Sequence, residues 1–442
     1  MGRHSLHASG NSNSRRARTS SGAHRSRSDR NATGRNAATR NATGRDIGAQ
    51  FNSLTAPRKT LIVGLAAALL FTLIGALLLW PSGPAPEPAA GFRESQHIAA
   101  NTVTGTVIEA DDGPCGSAEV GRVFDTSPTF PEGSHKCHRA LIKLTSGDES
   151  GRYTLIETSG QPGEPTLASG DRVTLAVHDG PHFTFVDMDR TIPIWIWIVV
   201  TVALIALVGA KRGLLALVGL AITLLTVAVF LVPGLLRSGD PVWLAVVTGA
   251  LVMFPVIFLV HGVNWKSASS LGGTLITLVL SAGLAQVAIA TTQLRGLSDE
   301  SNLLLQLYLP SVSVTGLLLA GFIVGALGVL NDVTIAQAST VQELYDANPT
   351  LKPWRVFKSA MHVGQDHIAS MVYTLVLAYL GAALPMSMLL AVADRPVLGI
   401  ISSDLVAVEL MRSAVGALAL TAAVPITTAI AAWTVQSTRQ SK

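Results

Sequence analysis

An aspartate at position 332 closes a run of small residues. Gly321, Gly325, Gly328 and Asp332 stand at i, i+4, i+7 and i+11, which is one face of a helix. Small residues on one face let a neighbouring helix approach closely, so the spacing predicts that this face packs inside a bundle and carries the carboxylate with it. An acid held there must be hydrated, paired or protonated, and such groups mark ion and proton paths. The same position also fits an acid that ends its span at the cytoplasmic surface and snorkels to water.

A second polar group opens another apolar run at Gly364, Gln365, Asp366 and His367, with Asp366, Ser370 and Tyr373 on a common face. Asp332 and Asp366, joined by His362 or His367, are expected at one inner mouth, where carboxylate oxygen and imidazole nitrogen suit a cation. A solvated rim is the other reading. Glu409 and Arg412, spaced i and i+3 with Gly416 on the same face, read either as an interfacial pair snorkelling outward or as an outer gate or solute contact. Up to about 30 Å of hydrocarbon is expected between that pair and Asp332, which argues against direct pairing.

The elements that would position these groups are apolar helices. Of 442 residues only 14% are charged and 49% are hydrophobic, against roughly 25% charged in a soluble domain, so packing in water is not the main theme. Runs long enough to cross a bilayer lie near 61–80, 192–210, 214–233, 241–261, 271–292, 312–332, 368–392 and 411–433. The first is read as an uncleaved anchor, because PSGPAPEP follows it rather than a small-x-small cleavage site. With both termini cytoplasmic, the inner segments carry twenty Lys and Arg while the short outer loops carry three, Arg237, Arg295 and Arg395. The expected fold is therefore a polytopic α-helical membrane protein of about eight transmembrane helices.

Residues 81–191 then lie outside the cell, and within them 90–190 form the one substantial soluble domain. Alternation at Val103, Gly105 and Val107, at Ala140, Ile142 and Leu144, at Tyr153 and Leu155, at Val173, Leu175 and Val177, and at Phe183 and Phe185 predicts a small antiparallel, barrel-like β domain between helices 1 and 2. Cys115 and Cys137 fall in its Pro/Gly/Ser-rich part. In an oxidising compartment they fit a disulfide, and with His135 and His138 beside Cys137 a metal site or free thiols stay open.

Residues 1–59 hold twelve Lys and Arg against two acids, with the degenerate repeat RNATGRNAATRNATGR, and too little apolar surface to offset the entropy of ordering. This tail is expected to be disordered and cytoplasmic, setting topology, with contact to anionic lipid or nucleic acid as the sharper reading of its charge. Anchor 60–80 and a seven-helix domain over 192–435 complete the division. At 353–362, Trp354, Phe357 and Met361 oppose Arg355, Lys358 and His362, which predicts an interfacial helix on anionic lipid, begun near Pro353. No Gly-Lys-Ser/Thr phosphate loop, His-Glu-x-x-His or Gly-x-Ser-x-Gly occurs, so common soluble-enzyme chemistry is not readable; no enzyme activity and no cofactor are expected, and separately no nucleic-acid partner.

The stretches KRGLLAL, LVPGLLRSGDP, VHGVNWKS with GGT after it, GALGVLNDVTIAQASTVQEL, SAMHVGQDHIASMVYTLVLAYLGAALP and VELMRSAVGALALTAAVPITTAIAA resemble the YibE/F family of multi-pass bacterial membrane proteins. The anchor followed by an exported β domain with a turn at Gly170, Asp171 and Val173 is similar to that family's layout. Asn331 stands where the family usually has Met, and His367 where it has an aliphatic residue. The resemblance implies the architecture and no settled substrate. The expectation for function is a permease or transport-associated protein for a small solute or ion, with a β domain that meets envelope partners. The alternative is a non-transporting scaffold that displays that domain.

Overall fold

The computed structural model describes Phe51 and residues 53–89, 91–92, 101–117, 119–126, 136–159, 163–178, 182–297, 299–392 and 396–435. Residues 54–442 form one compact unit. Residues 1–50 and 52 of the basic tail, together with His135, Ser298 and Arg395, lie outside the described residues.

Helix α1 (Ala56–Leu78) starts with Pro57 in its first turn, so the expected boundary at residue 60 falls inside it. Six strands follow: β1 (Thr102–Pro114), β2 (Val123–Phe124), β3 (Lys136–Leu144), β4 (Tyr153–Thr158), β5 (Arg172–His178) and β6 (His182–Met188). They pair antiparallel in the order β2-β4-β3-β1-β5-β6 and curl into a half-barrel. Gly121 fastens one corner, its N–H donating to the Leu155 carbonyl at 2.8 Å and its carbonyl accepting from Phe183 N at 2.6 Å. Its φ of +73° is open to glycine without strain. Val107, Ile142, Leu144, Leu175 and Phe183 fill the inner face, as the alternation predicts.

Cys115 and Cys137 form a disulfide. Cys137 lies in β3, paired with Gly113, and not in an irregular segment as expected, because the β1–β3 ladder extends to Pro114 and Lys136. Beside it His138 bonds the Asp112 carboxylate through Nδ1 at 3.0 Å and the Leu167 carbonyl through Nε2 at 2.6 Å. These contacts hold the imidazole above its ordinary pKa, the Asp112 hydrogen bond being the main cause.

The rest is helical. Helix α2 (Thr191–Leu236) is 46 residues long, about 69 Å at 1.5 Å per residue and twice the hydrocarbon thickness. It is broken at Ala210, whose φ is +46°, and past the break Gly213 comes against the Ile205 carbonyl, where a Cβ would collide. The limbs before and after Ala210 match the two runs expected at 192–210 and 214–233. Then come α3 (Pro241–His261), capped by the Asp240 carboxylate on Val242 N and Trp243 N, and α4 (Trp265–Thr292), capped by Asn264. A short α5 (Glu300–Tyr308) precedes α6 (Val314–Ala347) and α7 (Pro353–Ala382). α8 (Leu384–Ala391) bends from α7 by 67°, and α9 (Val397–Ile401) and α10 (Asp404–Val435) close the chain. Six of these helices are long and apolar enough to cross a membrane, or seven counting the bent pair as one span.

Three boundaries differ from expectation and matter for the site. α6 runs well past Asp332, so that residue does not end a helix. The amphipathic stretch at 353–362 is continuous with the next span rather than a separate surface helix. α10 begins at Asp404, before Glu409 and Arg412, because the Asp404 carboxylate accepts from the Arg295 and Gly296 backbone N–H groups and fixes that end.

Candidate functional site

The tightest helix seam is made by hydroxyl and glycine residues that the sequence reading passed over. Ser270, Thr274, Thr277 and Ser281 repeat at i, i+4, i+7 and i+11 on α4, and none is exposed. Ser270 Oγ donates to Thr334 Oγ1 of α6 at 3.1 Å, and the Thr274 and Thr334 hydroxyls bond at 2.7 Å. Gly273 lets α10 approach until a Cβ would fall on Thr427 Oγ1. This is small-residue packing joined by interhelical hydroxyl bonds, on α4 rather than on the α6 glycines. Its signal, SASSLGGT read at helical period, was present in the sequence.

α6 therefore turns its large side to the core, burying Phe322, Ile323, Leu330 and Val333. The stripe of Gly321, Gly325, Gly328 and Asp332 lies on the opposite, open side. Nothing stands within 4 Å of a Cβ built on Gly321 or Gly328, and at Gly325 the neighbour is the Tyr379 hydroxyl of α7 at 2.9 Å. The expected helix packing on this stripe is thus corrected: the close partner of α6 is α4, which supplies the small residues itself. What remains is an open, glycine-lined strip, or groove, along the outside of α6, touched by Tyr379.

Each end of the groove carries charge. Arg412 binds Glu409 at 2.7 and 3.0 Å, and its guanidinium carbon lies 5.5 Å from the Phe322 ring centre and 5.7 Å from that of Tyr379. Arg412 is eight residues into α10 and Phe322 eight into α6, each about 12 Å from its helix start. The side chain thus reaches inward onto two aromatic faces rather than outward, within cation–π range. Toward the other end, Asp332 is hydrogen-bonded by the Asn331 side chain and is in electrostatic contact with His261, the last residue of α3. His261 also feels Lys266 and Arg212. Ten residues of α6 separate Phe322 from Asp332, about 15 Å and half the expected gap.

The remaining predicted residues stand apart. Asp366 and His362 are exposed on α7, and His367 is partly buried with a partnerless Nδ1. His261, and none of these three residues, lies near enough to Asp332 to act on it electrostatically. Among the described residues no three His, Cys, Asp or Glu side chains converge as a metal site, so the expected carboxylate–imidazole cluster at one mouth is not formed. Helix α7 presents Val356, Ala360, Gly364 and Leu375 to the bundle, which turns Asp366 away from α6. His261 was missed because its sequence context reads as a loop.

Contacts between helix ends also sort the two ends of the bundle. Arg58 donates to the Thr434 carbonyl at 3.0 Å and sits 4.4 Å over the Trp265 ring. Arg237 donates to the Gly83 carbonyl at 3.0 Å, and Ser238 to that of Ser311 at 2.8 Å. The N-terminus of α1 and the C-terminus of α10 therefore share one end, opposite the end of α2 and the start of α6.

A bundle of helices long and apolar enough to cross a membrane, with a half-barrel between the first two, has the build of a membrane protein. The family comparison agrees: residues 197–437 match the model described as YibE/F-like protein, and the chain belongs to that family. No curated protein and no solved structure matches the chain.

Proposed function

We propose that this chain is an eight-span permease or transport-associated protein that moves a small solute or ion along the open side of α6. The observation that carries the reading is the charge arrangement there: Arg412, paired with Glu409, turned inward onto Phe322 and Tyr379, Asp332 about 15 Å further along α6 from Phe322 and near His261 of α3, and Gly325 and Gly328 between them on the open side. Ionisable groups at membrane depth that face protein or a polar cavity mark solute paths. A glycine floor leaves room where any larger side chain would block.

The eight crossings count the two limbs of α2 separately and α7 with α8 as one. Arg212, two residues past the break in α2, lies near enough to His261 to act on it electrostatically, whereas Arg237 donates to the Gly83 carbonyl at the opposite end. The limb between them spans the bundle. Both termini are assigned to the cytoplasm and the half-barrel to the outside, on the excess of Lys and Arg at the Arg58 end. The basic tail and the cationic residues of 353–362 then face an anionic leaflet.

A second reading, a scaffold that displays the half-barrel to envelope partners, is favoured by that domain's separate core and disulfide. Purified protein in proteoliposomes decides between them. Proton-dependent or solute-dependent flux, abolished by Asp332→Asn at normal insertion, supports the permease. No flux across a broad solute panel, with envelope proteins co-purifying stably, supports the scaffold.

A further inference from the structure

Helix α1 is the least buried of the long helices, and it leaves a cleft of about 510 Å³ between itself, α4 and α10. Leu61, Gly64, Leu65, Leu275, Ile276 and Ile430 make its walls, and its polar lining is minor. Gly64 has nothing within 4 Å of a built Cβ, while on the floor Leu61 Cδ1 comes 3.0 Å from the Cβ position of Gly272. Apolar cavities as small as about 150 Å³ stay dry and take up apolar guests, so a cleft of this size calls for a long alkyl ligand rather than water.

Its length and its mouth specify which one. The lining on α1 runs from Pro57 to Ala68, about 16 Å at 1.5 Å per residue, close to half of the roughly 30 Å hydrocarbon core. That is the reach of one leaflet. At the Pro57 end stand Arg58, Lys59 and Thr60 on α1, Lys266 one residue into α4, and the Trp265 ring beneath Arg58. Cationic groups with an interfacial tryptophan suit a negatively charged headgroup.

We infer that this cleft holds one acyl chain of an anionic phospholipid from the leaflet at the Arg58 end, wedged between the anchor helix and the bundle. The chain fills the space that Gly64 leaves, and the phosphate lies at the Pro57 end beside Thr60, on the lining face of α1. The lipid thereby joins α1, which makes few contacts of its own, to α4 and α10. The inference stands independently of what the protein transports.

Native mass spectrometry of the purified full chain, exposed to equimolar dioleoyl phosphatidylglycerol and dioleoyl phosphatidylcholine, tests it. The wild type should retain phosphatidylglycerol preferentially. Gly64→Leu fills the cleft without a clash and should lower that retention roughly tenfold, since loss of one or two buried methylene contacts is worth about one decade. Ile276→Phe fills it from α4 and should act alike, should Gly64→Leu fail to elute as a folded protein. Lys266→Gln should reduce the preference over phosphatidylcholine while keeping the alkyl contact, and Ala66→Leu, on the face of α1 turned from the lining, should change nothing. Undiminished phosphatidylglycerol retention in both folded filling variants would overturn the site, and equal retention of the two lipids by the wild type would overturn the anionic assignment.

Discussion

The Arg412 guanidinium of α10 stands 5.5 Å from the centre of the Phe322 ring of α6, and the two residues lie at matching depth from their helix starts. An ion pair that could have been interfacial is instead part of the helix contact. Its Glu409 partner is about one-third exposed and Arg412 about one-quarter, so the pair is only partly desolvated. Removing one partner leaves a charge at membrane depth. Arg412→Leu should cost about 1 to 3 kcal/mol of stability, less than breaking a fully buried pair. Glu409→Gln with Arg412→Gln should recover part of that loss, as read from thermal unfolding in detergent.

Asp332→Asn keeps the volume and hydrogen-bonding capacity of the side chain and removes its charge. The protein should insert and accumulate normally while losing activity, and Asp366→Asn, on the exposed face of α7, should have a weaker effect. Wild-type activity of Asp332→Asn at wild-type abundance would exclude the acid from the path.

The hydroxyl seam should govern stability rather than transport. Thr334→Val breaks the bonds to Ser270 and Thr274 and should cost about 0.5 to 2 kcal/mol. Gly273→Ala places a methyl on Thr427 Oγ1 and should cost about 1 to 3 kcal/mol by overpacking. Both variants should keep normal activity per folded molecule in the proteoliposome assay.

In the half-barrel, the raised pKa of His138 fixes the sign of a pH effect. Asp112 and the Leu167 carbonyl favour the protonated ring, so its contribution is fully present below the ordinary value of 6.5 and fades as pH rises through the higher folded-state value. Asp111, bonded to Arg139, adds to the same negative surroundings. Wild-type unfolding temperature should fall between pH 6 and 8 more than that of His138→Gln, and equal pH dependence would contradict the assignment. Cys115→Ser should destabilise the same domain by about 2 to 4 kcal/mol, the range for a loop of this size.

Sequence carried the architecture well because hydropathy and alternation are read locally. The run at 241–261 is α3 to the residue, and every alternating segment named in the β domain became a strand. Helix ends were harder. Val333 to Ala347 carries several polar residues, yet it continues α6 because Thr334, Gln337 and Val341 are buried against neighbours, which periodicity in one segment does not reveal. The glycine stripe was visible, but its direction was not. Whether small residues face a helix or an open groove depends on which partner supplies the complementary surface, and here α4 does. The proximity of Asp332 to His261 depends on where α3 ends relative to α6, a tertiary fact with no local signature.

The groove along α6 is the central claim, and its hydration can be measured without knowing the solute. The two native cysteines are joined in a disulfide, so single substitutions Gly321→Cys, Gly325→Cys and Gly328→Cys can be probed in reconstituted protein with a water-soluble, lipid-insoluble thiol reagent. Val287, well exposed on α4, serves as the lipid-facing control after Val287→Cys, and Gly83→Cys as the exposed one. The account predicts that the three groove positions react at rates approaching that of Gly83→Cys while Val287→Cys stays silent. Groove cysteines as unreactive as Val287→Cys, in protein whose Gly83→Cys reacts, would show a lipid-covered stripe and contradict the path.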